Sequence, residues 1–266
     1  MSRMTQDLFS ALNRFPRFWS ESLARRIVVF LDYDGTLTPI VSSPDLAVLA
    51  PETWDVLRAL ASRTKVAIIS GRDLDNVRRM VGLETLWYAG SHGFDMAGPG
   101  GEKADLAEGG KFLPDLDAAE AACRRRYTAV AGCLVERKKY ALAVHYRQVA
   151  PEETENVLKV FEEIAREYPA LRATSGKMVR ELVPDMDWDK GQAVLRLLER
   201  WHADNESTLP IYIGDDLTDE NAFRALSGRG LGILVRDGEE RPTEASMALN
   251  DVREVRRFLG DLAAML

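Results

Sequence analysis

The apolar positions along the chain fall into two kinds of pattern. Ile27-Val28-Val29-Phe30-Leu31 is apolar without alternation, which suits a central parallel strand buried on both faces. Pro51 opens a helical pattern with Trp54, Leu57 and Leu60 on one face, and Val66-Ala67-Ile68-Ile69 reads as a second buried strand. Past Gly71, the residues Leu74, Val77, Met80 and Val81 recur at helical spacing, and Leu86-Trp87-Tyr88-Ala89 reads as a third short strand. Strand and helix therefore alternate through the first ninety residues, the signature of a parallel α/β sheet.

The style then changes. Residues 97–110 are rich in glycine and charge and read as a turn or linker, and a helix is expected from about Asp117. Residues 133–147 hold two alternating segments. Leu134, Glu136 and Lys138 share one face of the first, and Leu142, Val144 and Tyr146 share one face of the second, so an antiparallel hairpin is predicted. A helix over 152–167 follows, with Val157, Val160, Phe161 and Ile164 on one stripe, then short strands near 170–174 and 178–183. The α/β style resumes with a helix over 189–201, buried strands at Ile211–Gly214 and Gly232–Val235, and a last helix from about Val252. The expected fold is α/β: a Rossmann-like parallel sheet core from residues 1–98 and 185–266, interrupted by an inserted α+β cap domain over 99–184.

Composition narrows the function classes. The chain has 266 residues and a formal net charge of -7, which argues against a nucleic-acid binder. The run Arg124-Arg125-Arg126 reads as a solvated helix face. Cys123 and Cys133 lack the spacing of a metal site or a disulfide framework, so a reducing, cytoplasmic setting is expected. No segment reaches the roughly 20 apolar residues of a membrane helix, and residues 1–15 lack the apolar core of a signal peptide. Nothing in the sequence requires more than a monomer, and it does not fix the oligomeric state.

Ligands of open α/β sheets bind beyond the carboxyl ends of the strands, so the polar residues at those ends matter most. The first strand runs into Asp32-Tyr33-Asp34-Gly35-Thr36. Two carboxylates there are costly unless something binds them. One can hold Mg2+, a hard cation that prefers oxygen ligands, and can also attack phosphorus to give an aspartyl-phosphate. The other can protonate a leaving oxygen and then activate water. The second strand runs into Ser70-Gly71-Arg72, where a hydroxyl and backbone N–H groups suit a phosphoryl oxygen, although Ser70 or Asp73 could simply cap the next helix. Lys190 opens a later helix, where it could neutralise phosphoryl charge or merely be solvated. Asp215, Asp216, Asp219 and Glu220 crowd another strand end, and a divalent cation would relieve their repulsion.

In order and strand context these motifs resemble the haloacid dehalogenase superfamily: D-x-D-G-T-L, S-G-R, a lysine, then G-D-D-x-T-D. The resemblance implies Asp32 as nucleophile, Asp34 as general acid/base, and Ser70 and Lys190 as phosphoryl holders. It puts Mg2+ on the Asp32 side chain, the Asp34 backbone carbonyl and Asp215, with Asp216 and Asp219 supporting. Gly71 and Arg72 would lie on the substrate. Three further strings are similar to trehalose-6-phosphate phosphatases: Gly90-Ser91-His92-Gly93; Glu136-Arg137-Lys138 with His145-Tyr146-Arg147; and Ser175-Gly176-Lys177 with Glu181 and Trp188-Asp189-Lys190-Gly191. By that resemblance His92, Glu136, Lys138 and Glu181 bind substrate, and the expected reaction is hydrolysis of trehalose 6-phosphate with Mg2+ as cofactor. His145 receives no firm role. The alternatives are a sucrose-phosphate or glycosyl-phosphoglycerate phosphatase, a phosphomannomutase-like phosphotransferase, and a catalytically silent binding protein.

Overall fold

The computed structural model describes residues 3–21, 26–103, 109–176 and 178–266. Residues 104–108 of the expected linker, and Lys177, lie outside these. The chain divides into two compact units, Met1–Ala104 with Trp188–Leu266, and Asp105–Asp187.

In chain order the first unit contributes β1 (Arg3–Met4), β2 (Phe9–Ser10), α1 (Ala11–Glu21), β3 (Arg26–Leu31), α2 (Pro51–Ala61), β4 (Lys65–Ile69), α3 (Leu74–Val81), β5 (Trp87–Gly90) and β6 (Asp95–Ala97). The second unit holds α4 (Leu113–Tyr127), β7 (Leu134–Lys138), β8 (Ala141–His145), α5 (Pro151–Glu167), β9 (Leu171–Gly176) and β10 (Val179–Pro184). The first unit then resumes with α6 (Lys190–Arg200), β11 (Thr208–Gly214), α7 (Glu220–Ala225), β12 (Leu231–Val235), β13 (Pro242–Thr243), β14 (Met247–Leu249) and α8 (Val252–Met265).

The main sheet has the order β2-β14-β12-β11-β3-β4-β5-β6, parallel throughout except for β6, which turns back along β5. The unbroken apolar run of β3 follows from its central place. Ile27, Val29 and Leu31 enter a core with Leu57 of α2, Val77 of α3 and Phe258 of α8. Val28 and Phe30 enter the opposite core with Val194 and Leu197 of α6 and Phe223 of α7. The chain leaves β3 for β4 on one side and returns through β11 on the other, so the strand order reverses there. A crevice at such a switch point is where α/β sheets place their ligands.

The second unit is a four-stranded antiparallel sheet, β7-β8-β10-β9. One face carries Val135, Leu142, Val144 and Leu182 against Leu116 and Tyr127 of α4 and Phe161 and Ile164 of α5. The alternation of β7 sends Glu136 and Lys138 to the other face. Glu136 and Glu181 both stand opposite Ala143, one from each neighbouring strand. Among the described residues no helix is long and apolar enough to cross a membrane.

Candidate active site

Asp32 is the first residue past β3, and its amide donates to the Ile213 carbonyl of β11 at 2.9 Å. That bond fixes it beside the end of β11, where Asp215 stands. Lys190, at the start of α6, enters from the adjoining core. Its Nζ donates to Asp32 Oδ1 at 2.8 Å and to Asp219 Oδ1 at 2.7 Å, with the ammonium almost fully buried. Asp189 caps this helix by accepting from the Gln192 amide at 2.9 Å, which orients its first turn.

Asp32, Asp215 and Asp219 bring three buried carboxylates together, with one oxygen of each within 4.8 Å of the others. Their hydrogen bonds separate their capacities. Asp219 accepts four: Lys190 Nζ and the Tyr212 hydroxyl on Oδ1, and the amides of Asp215 and Asp216 on Oδ2. It is saturated. Asp32 accepts from Lys190, and Asp215 accepts one long bond of 3.4 Å from the Thr36 hydroxyl, so both keep lone pairs to spare. Burial, assisted by the neighbouring carboxylates and opposed by Lys190, pushes Asp32 up to about 7. Burial followed by the charges of Asp32 and Asp219 pushes Asp215 up to about 9. Burial works against the Lys190 ammonium, but Asp219 and Asp32 outweigh it and hold the group charged. Burial first, then Asp219 and Asp32, keeps the Tyr212 phenol protonated as a donor.

The cluster fits a hard divalent cation. Three carboxylates face one ammonium, and the two unsaturated ones offer only oxygen. Gly35 keeps the floor open, with φ of +84°, and a Cβ there would lie 2.0 Å from Asp215 Oδ2.

Asp34 is held differently. Arg72 grips it with two parallel bonds, Nε to Oδ2 at 2.6 Å and Nη2 to Oδ1 at 2.7 Å. The same guanidinium donates to the Pro44 carbonyl at 2.8 Å and to Asn76 Oδ1 at 3.1 Å. Its fork is committed to Asp34, a planar match that lysine could not copy. Ser70 is buried at the end of β4, its Oγ accepting from the Arg72 amide at 3.1 Å. Asp73 is the N-cap residue of α3 without a side-chain cap bond there, and it accepts from the Ser91 hydroxyl at 3.3 Å.

The turn after β5 backs this loop. The Ser91 amide donates to the Arg72 carbonyl at 2.7 Å and the His92 amide to the Ser70 carbonyl at 2.9 Å. Ser91 and His92 take φ of +48° and +58°, a left-handed pair that L residues rarely adopt. The His92 ring lies against Gly71, where an added Cβ would come within 2.8 Å of Cε1.

In the second unit the polar sheet face carries two linked pairs. Lys138 Nζ donates to Glu181 Oε1 at 2.6 Å, and His145 Nε2 lies 2.7 Å from Glu136 Oε2. The His145 hydrogen bond foremost, with Lys138 assisting and burial opposing, holds the Glu136 carboxyl below its usual range. Glu136, Lys138 and Glu181 thus share one face, and His145 joins them.

The sequence signals bring Asp32, Lys190, Asp215 and Asp219 into one cluster, Asp34 onto Arg72, and Ser70 with Gly71 onto the His92 turn. Asp216 stands apart. It is exposed and caps the short 3-10 turn Leu217–Asp219, accepting from the Leu217 amide at 2.6 Å. Tyr212 and Arg241 carried no motif and escape a sequence reading, and Glu220, read only as one of the crowded acids, turns instead to Arg241. For Tyr212 the available hint is a hydroxyl in an otherwise apolar strand, three residues before Asp215.

The main sheet, with its acidic cluster at the switch point, has the fold of a haloacid dehalogenase-like hydrolase from Bacteroides thetaiotaomicron, which superposes with a TM-score of 0.65 at 15% identity over 90% of this chain and 100% of that one. The model of the trehalose-phosphatase family matches residues 30–253, and the chain belongs to that family. It is 41% identical over 269 residues to trehalose 6-phosphate phosphatase RA3 of Zea mays, covering 96% of this chain and 74% of the maize protein. It is also 41% identical over 247 residues to a trehalose-phosphate phosphatase of Mycobacterium tuberculosis, covering 92% of this chain but 63% of that protein's length. The C-terminal domain of Candida albicans trehalose-6-phosphate phosphatase superposes with a TM-score of 0.78 at 28% identity, over 97% of this chain and 99% of that domain.

Proposed function

We propose that the chain hydrolyses trehalose 6-phosphate to trehalose and inorganic phosphate with Mg2+ as cofactor. The observation that carries this is the buried Asp32–Lys190–Asp219–Asp215 cluster at the switch point, in a chain of this family. Asp32, Asp215 and the Asp34 backbone carbonyl hold Mg2+, whose charge when bound offsets that of the carboxylates and of the phosphoryl oxygens. Ser70, Lys190 and the backbone around Gly71 hold the phosphoryl group, while Arg72 keeps Asp34 in place.

A carboxylate oxygen of Asp32 attacks phosphorus. As that bond forms, the bond between phosphorus and the sugar oxygen breaks, and Asp34 gives the departing oxygen its proton. Asp34 then takes a proton from water, whose oxygen attacks the aspartyl-phosphate. The bond from phosphorus to Asp32 breaks, phosphate leaves, and both aspartates return to their starting states. Lys190 is held charged by Asp219 and Asp32, and Asp219 keeps its ion pair with the ammonium while Asp32 carries the phosphoryl group. Asp219, saturated by its four donors, keeps the ammonium aimed at Asp32. Glu136, Lys138 and Glu181 read the sugar hydroxyls, and His92 lies on the substrate side of the Gly71 loop. A cytoplasmic, reducing setting accords with Cys123 and Cys133, both free.

The test is phosphate release from a panel holding trehalose 6-phosphate, sucrose 6-phosphate, glucosyl-phosphoglycerate and mannose 6-phosphate. Trehalose 6-phosphate should be cleaved with the highest kcat/KM, chelator should abolish release, and Mg2+ should restore it. Preferred cleavage of another ester would overturn the substrate, and full activity in excess chelator would overturn the cofactor.

A further inference from the structure

A second ion pair stands behind the acidic cluster, outside every motif. Arg241, just before β13, is paired with Glu220 of α7, Nη1 to Oε1 at 2.6 Å, with only 12% and 11% of the two side chains exposed. Its other arm, Nη2, donates to the backbone carbonyl of Asp215 at 2.7 Å. The 3-10 turn Leu217–Asp219 begins beyond that carbonyl, so Arg241 supplies its partner from another part of the chain. Glu220 is anchored in turn, Oε2 accepting from the Glu244 amide at 2.8 Å. Arg241 itself is tied to the N-terminal segment. Thr5 donates its amide to the Arg241 carbonyl at 3.0 Å, and the Thr5 hydroxyl accepts from the Arg241 amide at 3.3 Å. β1 and β13 pair alongside.

Buried ion pairs contribute little net stability, because desolvation cancels most of their attraction. What this pair does supply is position. Asp215 is held on both sides of its backbone: its amide donates to Asp219 Oδ2 at 3.0 Å and its carbonyl accepts from Arg241. Its backbone is thereby fixed where its carboxylate lies beside those of Asp32 and Asp219. We infer that Arg241, braced by Glu220, is a positioning residue that presets Asp215 to receive the divalent cation. The inference rests on the assignment of Asp215 as a metal-holding residue.

Charge and position make opposite predictions here. A cation near a cation site repels it, so if Arg241 acted only by charge, removing it would tighten Mg2+ binding and Arg241→Lys would leave binding unchanged. As a positioning fork, Arg241→Lys should weaken binding although it keeps the charge, because one ammonium cannot span both acceptors. The measurement is calorimetric titration of Mg2+ into chelator-stripped protein, with thermal unfolding of each variant as a check on the fold. Arg241→Lys and Glu220→Gln should each raise the Mg2+ Kd about 10- to 100-fold, the scale for residues that orient a metal ligand. Asp215→Asn is the control and should abolish binding. A Kd within twofold of the parent in both variants overturns the inference, and if Arg241→Lys does not fold, Glu220→Gln decides by the same criterion. Asp215→Asn binding Mg2+ like the parent would instead overturn the metal assignment, and the inference with it.

Discussion

Asp32→Asn should abolish turnover and at the same time stabilise the metal-free protein. The carboxylate is nearly fully buried, and burial pushes it from 3.8 to about 7, with Asp219 adding to the shift and Lys190 opposing it. The sign follows directly. Because the folded value is raised, the protonated form stabilises the fold in full below about pH 3.8, and that contribution is lost as pH rises through about 7. At about 1.4 kcal/mol per pH unit, ionised Asp32 costs the metal-free fold up to about 4 kcal/mol at pH 8. Asparagine resembles the protonated acid: it carries no charge, and its oxygen still accepts from Lys190. The variant should therefore gain about 2–4 kcal/mol in chelator at pH 8, and its Tm should rise by roughly 5–10 °C for a chain of this size. Adding Mg2+ should raise the Tm of the parent and leave that of the variant nearly unmoved. The assay is thermal unfolding of both proteins in chelator and in Mg2+, beside phosphate release from trehalose 6-phosphate. If the variant melts below the parent in chelator, ionised Asp32 does not cost the metal-free fold and the reasoning from its burial is wrong.

The other predictions separate neighbouring groups. Asp219→Asn should do the reverse of Asp32→Asn. However the amide turns, it faces either Lys190 and Tyr212 or the two backbone amides with a donor, so breaking this buried pair should cost about 3–5 kcal/mol, read by chemical denaturation. An unchanged midpoint would refute the four-bond account. Metal-free parent should lose stability as pH rises from about 4 through 7 and on toward 9, the folded values of Asp32 and Asp215, and the stabilisation by Mg2+ should grow over that range. A flat metal-free profile would contradict it. Glu136→Ala and Glu181→Ala should each lower kcat/KM for trehalose 6-phosphate about 10- to 100-fold, the value of a charged hydrogen bond left unmade. They should leave cleavage of para-nitrophenyl phosphate, which has no sugar, nearly intact, whereas equal losses on both would place these residues in folding or catalysis.

The strands that position the cluster are plain in the sequence because their signal is local. Five apolar residues in a row before Asp32 have few homes other than the middle of a parallel sheet, and β3 is there. The insert's hairpin is equally plain, because Glu136 and Lys138 alternate with residues that meet α4 and α5. Short or mixed elements leave weaker traces. Helix α1 carries Pro16 within it, and β2 and β14 are two and three residues long, so none offers a period to count. The predicted start of α4 at about Asp117 falls late: the helix begins at Leu113 and takes Pro114 into its first turn, where proline is tolerated.

Ranking the acids is a different kind of question. Asp215, Asp216, Asp219 and Glu220 lie within six residues, and no periodicity tells which is buried, which caps a turn and which remains open to a cation. Their roles are set by donors that arrive from elsewhere. Lys190 and Tyr212 reach Asp219 from α6 and β11, and Arg241 reaches Glu220 and the Asp215 carbonyl from beyond β12. Asp216, with the Leu217 amide as its partner, is left at the surface. The same holds for Asp34, which is defined by Arg72, 38 residues away. A motif therefore marks where charge accumulates, while the fold decides which carboxylate is already spoken for. In this site the saturation of Asp219 leaves Asp32 and Asp215 as the pair with capacity to bind, and that selection depends on partners from separate elements that no single window of the sequence contains.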